Sequence, residues 1–288
     1  MEESSFLATV VLPISLSVIM CSLGLSLTLA DFKRVVTFPR GAALGVANLL
    51  LISPFLGFVV AEVFDLDPLL AVGLVLMAAA PGGTLANLLT HLARGDTALS
   101  VTMTAITSLA AVVTVPLYLK LSTDHFDADI GTEVGMLSIV AKVFLITIVP
   151  LSLGMYIRHR NEEKVKAVEG RVRKVALGLF VLVVIAAVAS EFEVLTENFA
   201  DVAGAALALN VAAMTVSYTL SRVARLSNPQ STAIAIELGL HNSTLAITVG
   251  SALNTELAVP AAVYSAFMFI TAGLFARAMH RRNVPALT

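Results

Sequence analysis

Ala235-Ile236-Glu237-Leu238-Gly239-Leu240-His241-Asn242-Ser243 lies inside an apolar segment that runs from Ser231 to Leu253. It sets a carboxylate beside a glycine and a His-Asn pair at a depth where water does not reach. An ionisable side chain in such a place is costly and marks a functional site whose partner has to be found. A buried charge persists only when paired or neutralised, so Glu237 either carries a proton and bonds neighbouring backbone or holds a cation. The cation is the reading followed here, because no Lys or Arg on another segment is an obvious partner. Lys142 is the one candidate, and it is close enough to a membrane surface to snorkel.

The rest of the chain says that this segment spans a membrane. Of its 288 residues, 58% are hydrophobic and 13% charged, whereas soluble domains carry about 25% charged residues. Long apolar runs with short polar connections specify an all-α polytopic membrane protein. The single cysteine, Cys21, excludes an intrachain disulfide and a Cys metal site. Met1-Glu2-Glu3 is acidic where a signal peptide would be basic, so the first apolar run is expected to stay as a helix. Membrane lipid is the expected surrounding, and nothing suggests a nucleic-acid partner.

The runs predict nine spanning helices, near 5–30, 41–63, 68–93, 97–121, 134–157, 174–190, 200–221, 229–252 and 256–279. Together they form one transmembrane transporter domain over 1–288, in halves of about 1–121 and 134–288. With the N-terminus outside, the inner connections collect Lys33, Arg34, Arg40, Arg94, the cluster Arg158 to Lys174, Arg222, Arg225, Arg277, Arg281 and Arg282. Of the eighteen Lys and Arg residues only Lys120 and Lys142 fall elsewhere. That asymmetry puts the C-terminus in the cytoplasm and the protein in a plasma membrane, or in the inner membrane of a bacterium. The connection Arg158 to Lys174 reads as a solvated linker between the halves, or alternatively as a short surface helix.

Two helices interrupt themselves. Ala80-Pro81-Gly82-Gly83-Thr84 falls in mid-membrane in the third, and Gly239 to Ser243 at comparable depth in the eighth. The freed backbone groups are tolerable only inside protein or beside a water-filled cavity. Asp67-Pro68 opens the third helix as Asn228-Pro229 opens the eighth, and Asn87 follows one break as Asn242 stands at the other. The two helices run in opposite directions, which is the pattern of an inverted-repeat secondary transporter with its site where the broken helices meet.

A hard monovalent cation such as sodium wants several oxygens. Ser100, Thr104 and Ser108 recur on one face of the fourth helix, Asn87 adds an amide oxygen, and unwound backbone near Ala86 and Leu238 offers carbonyls. Taken singly, such hydroxyls more often bond their own helix. Half-helices starting near Thr84 and Asn242 point positive ends at one region and would attract a small organic anion. An intramembrane enzyme is the poor second class, since there is no G-x-S-x-G elbow, no H-E-x-x-H and no second carboxylate for a dyad. A channel would normally need a ring of ligands around a pore. The residues thus read as cation-coupled transport of a small organic anion, with no organic cofactor.

Pro81-Gly82-Gly83-Thr84-Leu85-Ala86-Asn87, followed by Gly95-Asp96 and Ala98-Leu99-Ser100-Val101, resembles the P-G-G-T-x-S-N…G-[DN]-x-A-L-S-V signature of the bile acid:sodium symporter family. Glu237-Leu238-Gly239-Leu240-His241-Asn242-Ser243 resembles that family's E-x-G-x-Q-N-[ST] signature, and the likeness covers nearly the whole chain from Gly24-Leu25-Ser26-Leu27-Thr28 onward. The resemblance implies two crossing discontinuous helices in a core domain, packed against a moving panel domain. It implies a sodium-coupled symporter importing an organic anion, such as a bile acid or a small carboxylate, by alternating access. One sodium site would use Asn87, Ser100, Thr104 and Glu237, with Ala86 in place of the motif's serine and contributing backbone. A second sodium site is put in doubt, because His241 replaces the motif's glutamine and Leu49, beside Asn48, replaces an earlier one. Thr84, His241 and Asn242 are the expected substrate contacts, His241 first as cavity lining. Proton coupling through His241, or a sodium-independent anion carrier, is the alternative. The count of nine helices looks like that of the vertebrate members, whereas bacterial members commonly have ten.

Overall fold

Prolines and small polar caps decide where the helices begin. Pro68 and Pro229 stand in the first turn of a helix, where a missing N–H costs no hydrogen bond. Asp96 accepts from Leu99 N, Asn242 from Leu245 N, and Ser227 forms a capping box with Gln230. The structure, a computed structural model, describes residues 10–37, 39–130 and 136–283. The described residues contain helices and no strand, so the all-α expectation holds.

In chain order these are α1 (Leu12–Ser26), α2 (Leu29–Thr37), α3 (Pro39–Ala47), α4 (Ser53–Val63), α5 (Pro68–Ala78), α6 (Thr84–Leu92) and α7 (Thr97–His125). They continue as α8 (Met136–Val143), α9 (Val149–Arg160), α10 (Glu162–Ser190), α11 (Phe192–Glu197), α12 (Phe199–Val223), α13 (Asn228–Gly239), α14 (Ser243–Ser251) and α15 (Val259–Arg282). One widened π turn, Asn48–Ile52, joins α3 to α4, and another, Phe144–Ile148, joins α8 to α9. Each precedes a proline in the next turn, Pro54 or Pro150, whose missing N–H leaves a carbonyl open. Leu50, four residues before Pro54, gives its freed carbonyl to the Tyr118 hydroxyl at 2.6 Å.

Six helices are long and apolar enough to cross a membrane: Pro39–Val63, Thr97–His125, Leu137–Arg160, Glu162–Ser190, Phe199–Val223 and Thr255–Arg282, where Thr255–Ala258 is a 3-10 turn leading into α15. Counting α1 and α2, bent by 66°, as one span makes seven. The beginnings of the expected helices near 5 and 134 lie outside the described residues. The helices expected over 68–93 and 229–252, each with a break, are the short pairs α5/α6 and α13/α14. Pieces of 9 to 12 residues reach only about 14–18 Å, well short of a ~30 Å hydrocarbon core. The segment read as a linker, Arg158 to Lys174, is helical: α10 begins at Glu162 and runs without interruption to Ser190. The i, i+4 pairs Glu162–Lys166 and Glu169–Arg173, both at 2.8 Å, run along that polar stretch and favour the helix.

The broken helices form the centre of the molecule. Residues 70–82 and 231–250 are buried without exception, whereas the apolar stretch of α10 is 11% buried. Buried protein surroundings are what an interrupted helix needs at this depth. Elsewhere α1 crosses α9 backbone to backbone: a Cβ on Gly24 would stand 2.0 Å from Leu151 O, and one on Gly154 2.2 Å from Cys21 O. At the basic end of the bundle, Arg158 donates to Leu25 O at the last turn of α1, and Asn283 ties α15 to Ala93 O and Thr232.

Candidate functional site

Pro81 cannot donate a backbone hydrogen bond, and with Gly82 and Gly83 it ends α5 before α6 begins. The freed groups are taken up by the other break. Gly83 N donates to Leu240 O and Asn242 N to Pro81 O, each at 2.8 Å, with Gly82 and His241 facing each other as an antiparallel bridge. The two interruptions therefore satisfy one another, and neither is stable at this depth without its counterpart.

Glu237 is fully buried on the last turns of α13, within reach of α7. Ser100 Oγ lies 2.5 Å from its Oε1, and Thr104 Oγ1 lies 2.9 Å from Oε1 and 3.1 Å from Oε2. Asn87 on α6 brings its Oδ1 to 2.8 Å from Ser100 Oγ and 3.5 Å from Thr104 Oγ1. Gly82 makes this possible, because a Cβ there would sit 1.9 Å from Glu237 Oε2. Four of the expected ligands, Asn87, Ser100, Thr104 and Glu237, thus come from three elements to one point. Ala86 is buried beside Asn87 in the first turn of α6.

Two expectations from the sequence do not join them. Ser108 is buried with its hydroxyl unpaired and makes no bond to Glu237, being one turn beyond Thr104 along α7. The Leu238 carbonyl faces the Tyr264 hydroxyl at 3.4 Å. Lys142 is exposed and does not approach the carboxylate.

The cluster is short of protons. Two hydroxyl protons serve five oxygen–oxygen approaches within 3.5 Å, and Asn87 Oδ1 and an ionised carboxylate can only accept. Among the described residues no three His, Cys, Asp or Glu side chains converge. One carboxylate among neutral oxygens is a donor set for a hard cation of low charge.

His241, 2% exposed, is held differently. Its Nε2 is 3.0 Å from Ser53 Oγ on α4 and its Nδ1 is 3.3 Å from Tyr264 Oη on α15. Ser53 spends its own proton on Ala78 O at 2.8 Å. Sequence reasoning missed both partners. Each is a hydroxyl in an otherwise apolar helix, and no spacing rule connects positions 53, 241 and 264.

A cavity of about 330 Å³ opens beside the paired breaks. Gly83, Asn87, His241, Asn242 and Ser243 line one side, Phe180, Met268 and Phe269 supply an apolar wall, and His91 and Arg173 lie toward the basic end. Of the expected substrate contacts, His241 and Asn242 thus border the cavity; the side chain of Thr84 lies outside the described residues. Met268 and Phe269 face the cavity and not lipid alone. The amphipathic lining suits a small molecule with a polar head and an apolar body.

Comparison with known proteins identifies the family. The model of the family described as the Sodium Bile acid symporter family matches residues 13–198, more than half of the chain. The sodium-dependent transporter YocS of Bacillus subtilis (strain 168) is 31% identical over 264 residues, covering 91% of this chain and 81% of its own. A probable sodium/metabolite cotransporter of Arabidopsis chloroplasts, BASS1, is 29% identical over 94% of this chain and 67% of its own. The human ileal sodium/bile acid cotransporter is 28% identical over 94% of this chain and 79% of its own. A matched family model, a relative of this identity along nearly the full length, and paired helix breaks carrying both motifs place the chain in the sodium bile acid symporter family.

Proposed function

We propose that this protein is a sodium-coupled symporter that carries a small organic anion inward by alternating access. The observation that carries the reading is the convergence of Asn87, Ser100 and Thr104 on Glu237 beside a cavity at the paired breaks. In this scheme sodium binds between the carboxylate and the three neutral oxygens. The anion binds across the breaks, against the positive ends of α6 and α14 with Thr84, His241 and Asn242. Sodium and anion then share one rigid centre, so filling one favours the other, which is what coupling requires.

The inverted repeat supplies the moving parts. The broken helices with α7, α12 and α15 act as the core, and α1, α9 and α10 act as the panel. Packing supports this division: α1 lies on α9 and α10, while α13 lies on α12 and α7. With the basic end in the cytoplasm and the N-terminus outside, the cavity beside His91 and Arg173 opens inward. The relatives' names include both bile acid and metabolite cotransporters. A cavity near 330 Å³ is at the small end of the usual ~300–1,000 Å³ range of ligand pockets and favours a compact carboxylate over a steroid.

The test is uptake into proteoliposomes, with a panel of carboxylates first screened by thermal shift with and without sodium. A sodium gradient should drive accumulation in the native protein and fail to do so in Glu237→Gln. Undiminished uptake by that variant would remove the ion assignment. Uptake driven by a pH gradient in the absence of sodium would replace it with proton coupling.

A further inference from the structure

We propose that the groove between α6 and α15 binds one anionic phospholipid, with an acyl chain laid along α15 and the phosphate on two arginines at the basic end of the bundle. This site is separate from the cation cluster, and the proposal holds whichever ion and anion the carrier moves.

The groove has a volume of about 660 Å³ and adjoins the cavity, with Phe269 bordering both. Leu89 and Leu92 form its α6 wall, while Phe269, Gly273, Arg277 and Arg281 follow one another along α15. Steps of four residues keep these side chains on one gently winding stripe of the helix. The stripe is aromatic at Phe269, bare at Gly273 and cationic at Arg277 and Arg281. A Cβ on Gly273 would meet nothing within 4 Å, so the glycine floors an unfilled channel and is not a close helix contact. From Phe269 to Arg281 the helix rises about 18 Å. That is the depth of one leaflet, half of a ~30 Å hydrocarbon core plus the start of its interface.

The two ends of the groove call for one amphipathic occupant. Along its sides Ile270 and Leu274 are exposed on α15, inside the membrane-crossing segment Thr255–Arg282, and Leu92 is exposed on α6. Apolar side chains exposed at that depth suit an acyl chain and not a water-soluble partner. At the other end Arg277 and Arg281 are exposed and have no carboxylate partner among the described residues. On α10, by contrast, Lys166 is paired with Glu162 and Arg173 with Glu169, each at 2.8 Å. A guanidinium takes a phosphate through two parallel hydrogen bonds. A headgroup of net negative charge is preferred, because the ammonium of a zwitterionic lipid would face the same arginines. Positive-inside placement accounts for basic residues at this end, but it does not call for a glycine gap leading down from them.

The lipid has a structural task here. His280 Nδ1 meets Leu92 O at 2.7 Å and ties the end of α6 to α15. The acyl chain lies on the Leu89–Leu92 face of α6, and the other face carries Asn87 toward Ser100. Lipid and core thus hold the half-helix from two sides.

The test adds palmitoyl-oleoyl phosphatidylglycerol, or the phosphatidylcholine with the same chains, to purified protein in detergent and counts bound lipid by native mass spectrometry. The native protein should retain one phosphatidylglycerol under conditions that strip phosphatidylcholine. Arg277→Gln combined with Arg281→Gln should weaken retention about 25-fold, from about 1 kcal/mol per arginine at 1.4 kcal/mol per decade. Gly273→Leu fills the channel without changing charge and should abolish retention. Arg171→Gln combined with Lys174→Gln removes the same charge from exposed positions on α10 and should leave it unchanged. Melting in lipid-free detergent checks that each variant folds; should the arginine pair fail that check, Gly273→Leu and the native lipid preference decide. Inorganic phosphate should give none of the thermal stabilisation that phosphatidylglycerol gives. Equal retention of the two lipids by the native protein, full retention by Gly273→Leu, an equal loss in the α10 pair, or equal stabilisation by phosphate alone would overturn the proposal.

Discussion

Replacing Gly82 by alanine should disable the proposed cation site while leaving the fold in place. The added Cβ would stand 1.9 Å from Glu237 Oε2, 3.1 Å from Glu237 Cδ and 3.5 Å from Thr104 Oγ1. An ordinary C···O contact is roughly 3.3 Å, so the carboxylate has to retreat by about 1.4 Å. That retreat is larger than the tolerance of the bonds from Ser100 and Thr104, which lie at 2.5–3.1 Å. Hydrogen bonds to a charged group contribute about 1.5–3 kcal/mol each. Losing even one or two corresponds to about 3 kcal/mol, or a ~10²-fold fall in sodium affinity at 1.4 kcal/mol per decade. The nearest atom is the end of a side chain and not backbone, so the protein can fold around the methyl group. The assay is sodium-dependent thermal stabilisation of purified protein, with choline as the control salt. Gly178→Ala serves as the comparison, since a Cβ there meets nothing within 4 Å. The expected result is a sodium response displaced by two decades in Gly82→Ala and unchanged in Gly178→Ala. A sodium affinity for Gly82→Ala within twofold of the native value would refute the close approach of Glu237 to this backbone.

The other expectations concern the frame around the site. Gly24→Ala and Gly154→Ala each drive a methyl group into a backbone carbonyl across the α1–α9 crossing, at 2.0 and 2.2 Å; overpacking of this kind costs about 1–3 kcal/mol or more, and both variants should melt earlier in detergent irrespective of sodium. Ser53→Ala removes the partner of His241 Nε2 and of Ala78 O; a buried polar group left unpaired costs about 1–3 kcal/mol, seen as a lower melting temperature with the number of bound sodium ions unchanged. Arg158→Met removes the donor to Leu25 O at the end of α1, and loss of a charged hydrogen bond of about 1.5–3 kcal/mol should appear as faster amide hydrogen exchange in the last turn of that helix.

The cation cluster illustrates how far local pattern carries. Ser100 and Thr104 are four residues apart and must share a face of any helix, and Asn87 follows a Pro-Gly-Gly break, so three members of the proposed cation site were legible in the sequence. Ser108 obeys the same spacing and yet has no part in the cluster. Periodicity selects a face, whereas Glu237 on α13 selects the depth at which that face is used. His241 shows the converse. Its identity was visible, but its partners Ser53 and Tyr264 lie 188 and 23 residues away in the chain, on two other helices.

Sequence by itself determined that this chain is a helical membrane protein, that two of its segments break in mid-membrane, and that one carboxylate lies at a break. These follow from hydrophobicity, proline and glycine, which act over a few residues and do not depend on the rest of the fold. It misjudged α10, where i, i+4 ion pairs carry the helix through a polar stretch that composition suggested was a linker. Only the tertiary structure decided that the two breaks bond to each other, that Gly82 admits the Glu237 carboxylate, and that His241 meets Ser53 and Tyr264. Those facts depend on the distance and direction between atoms on different helices, and packing alone fixes these.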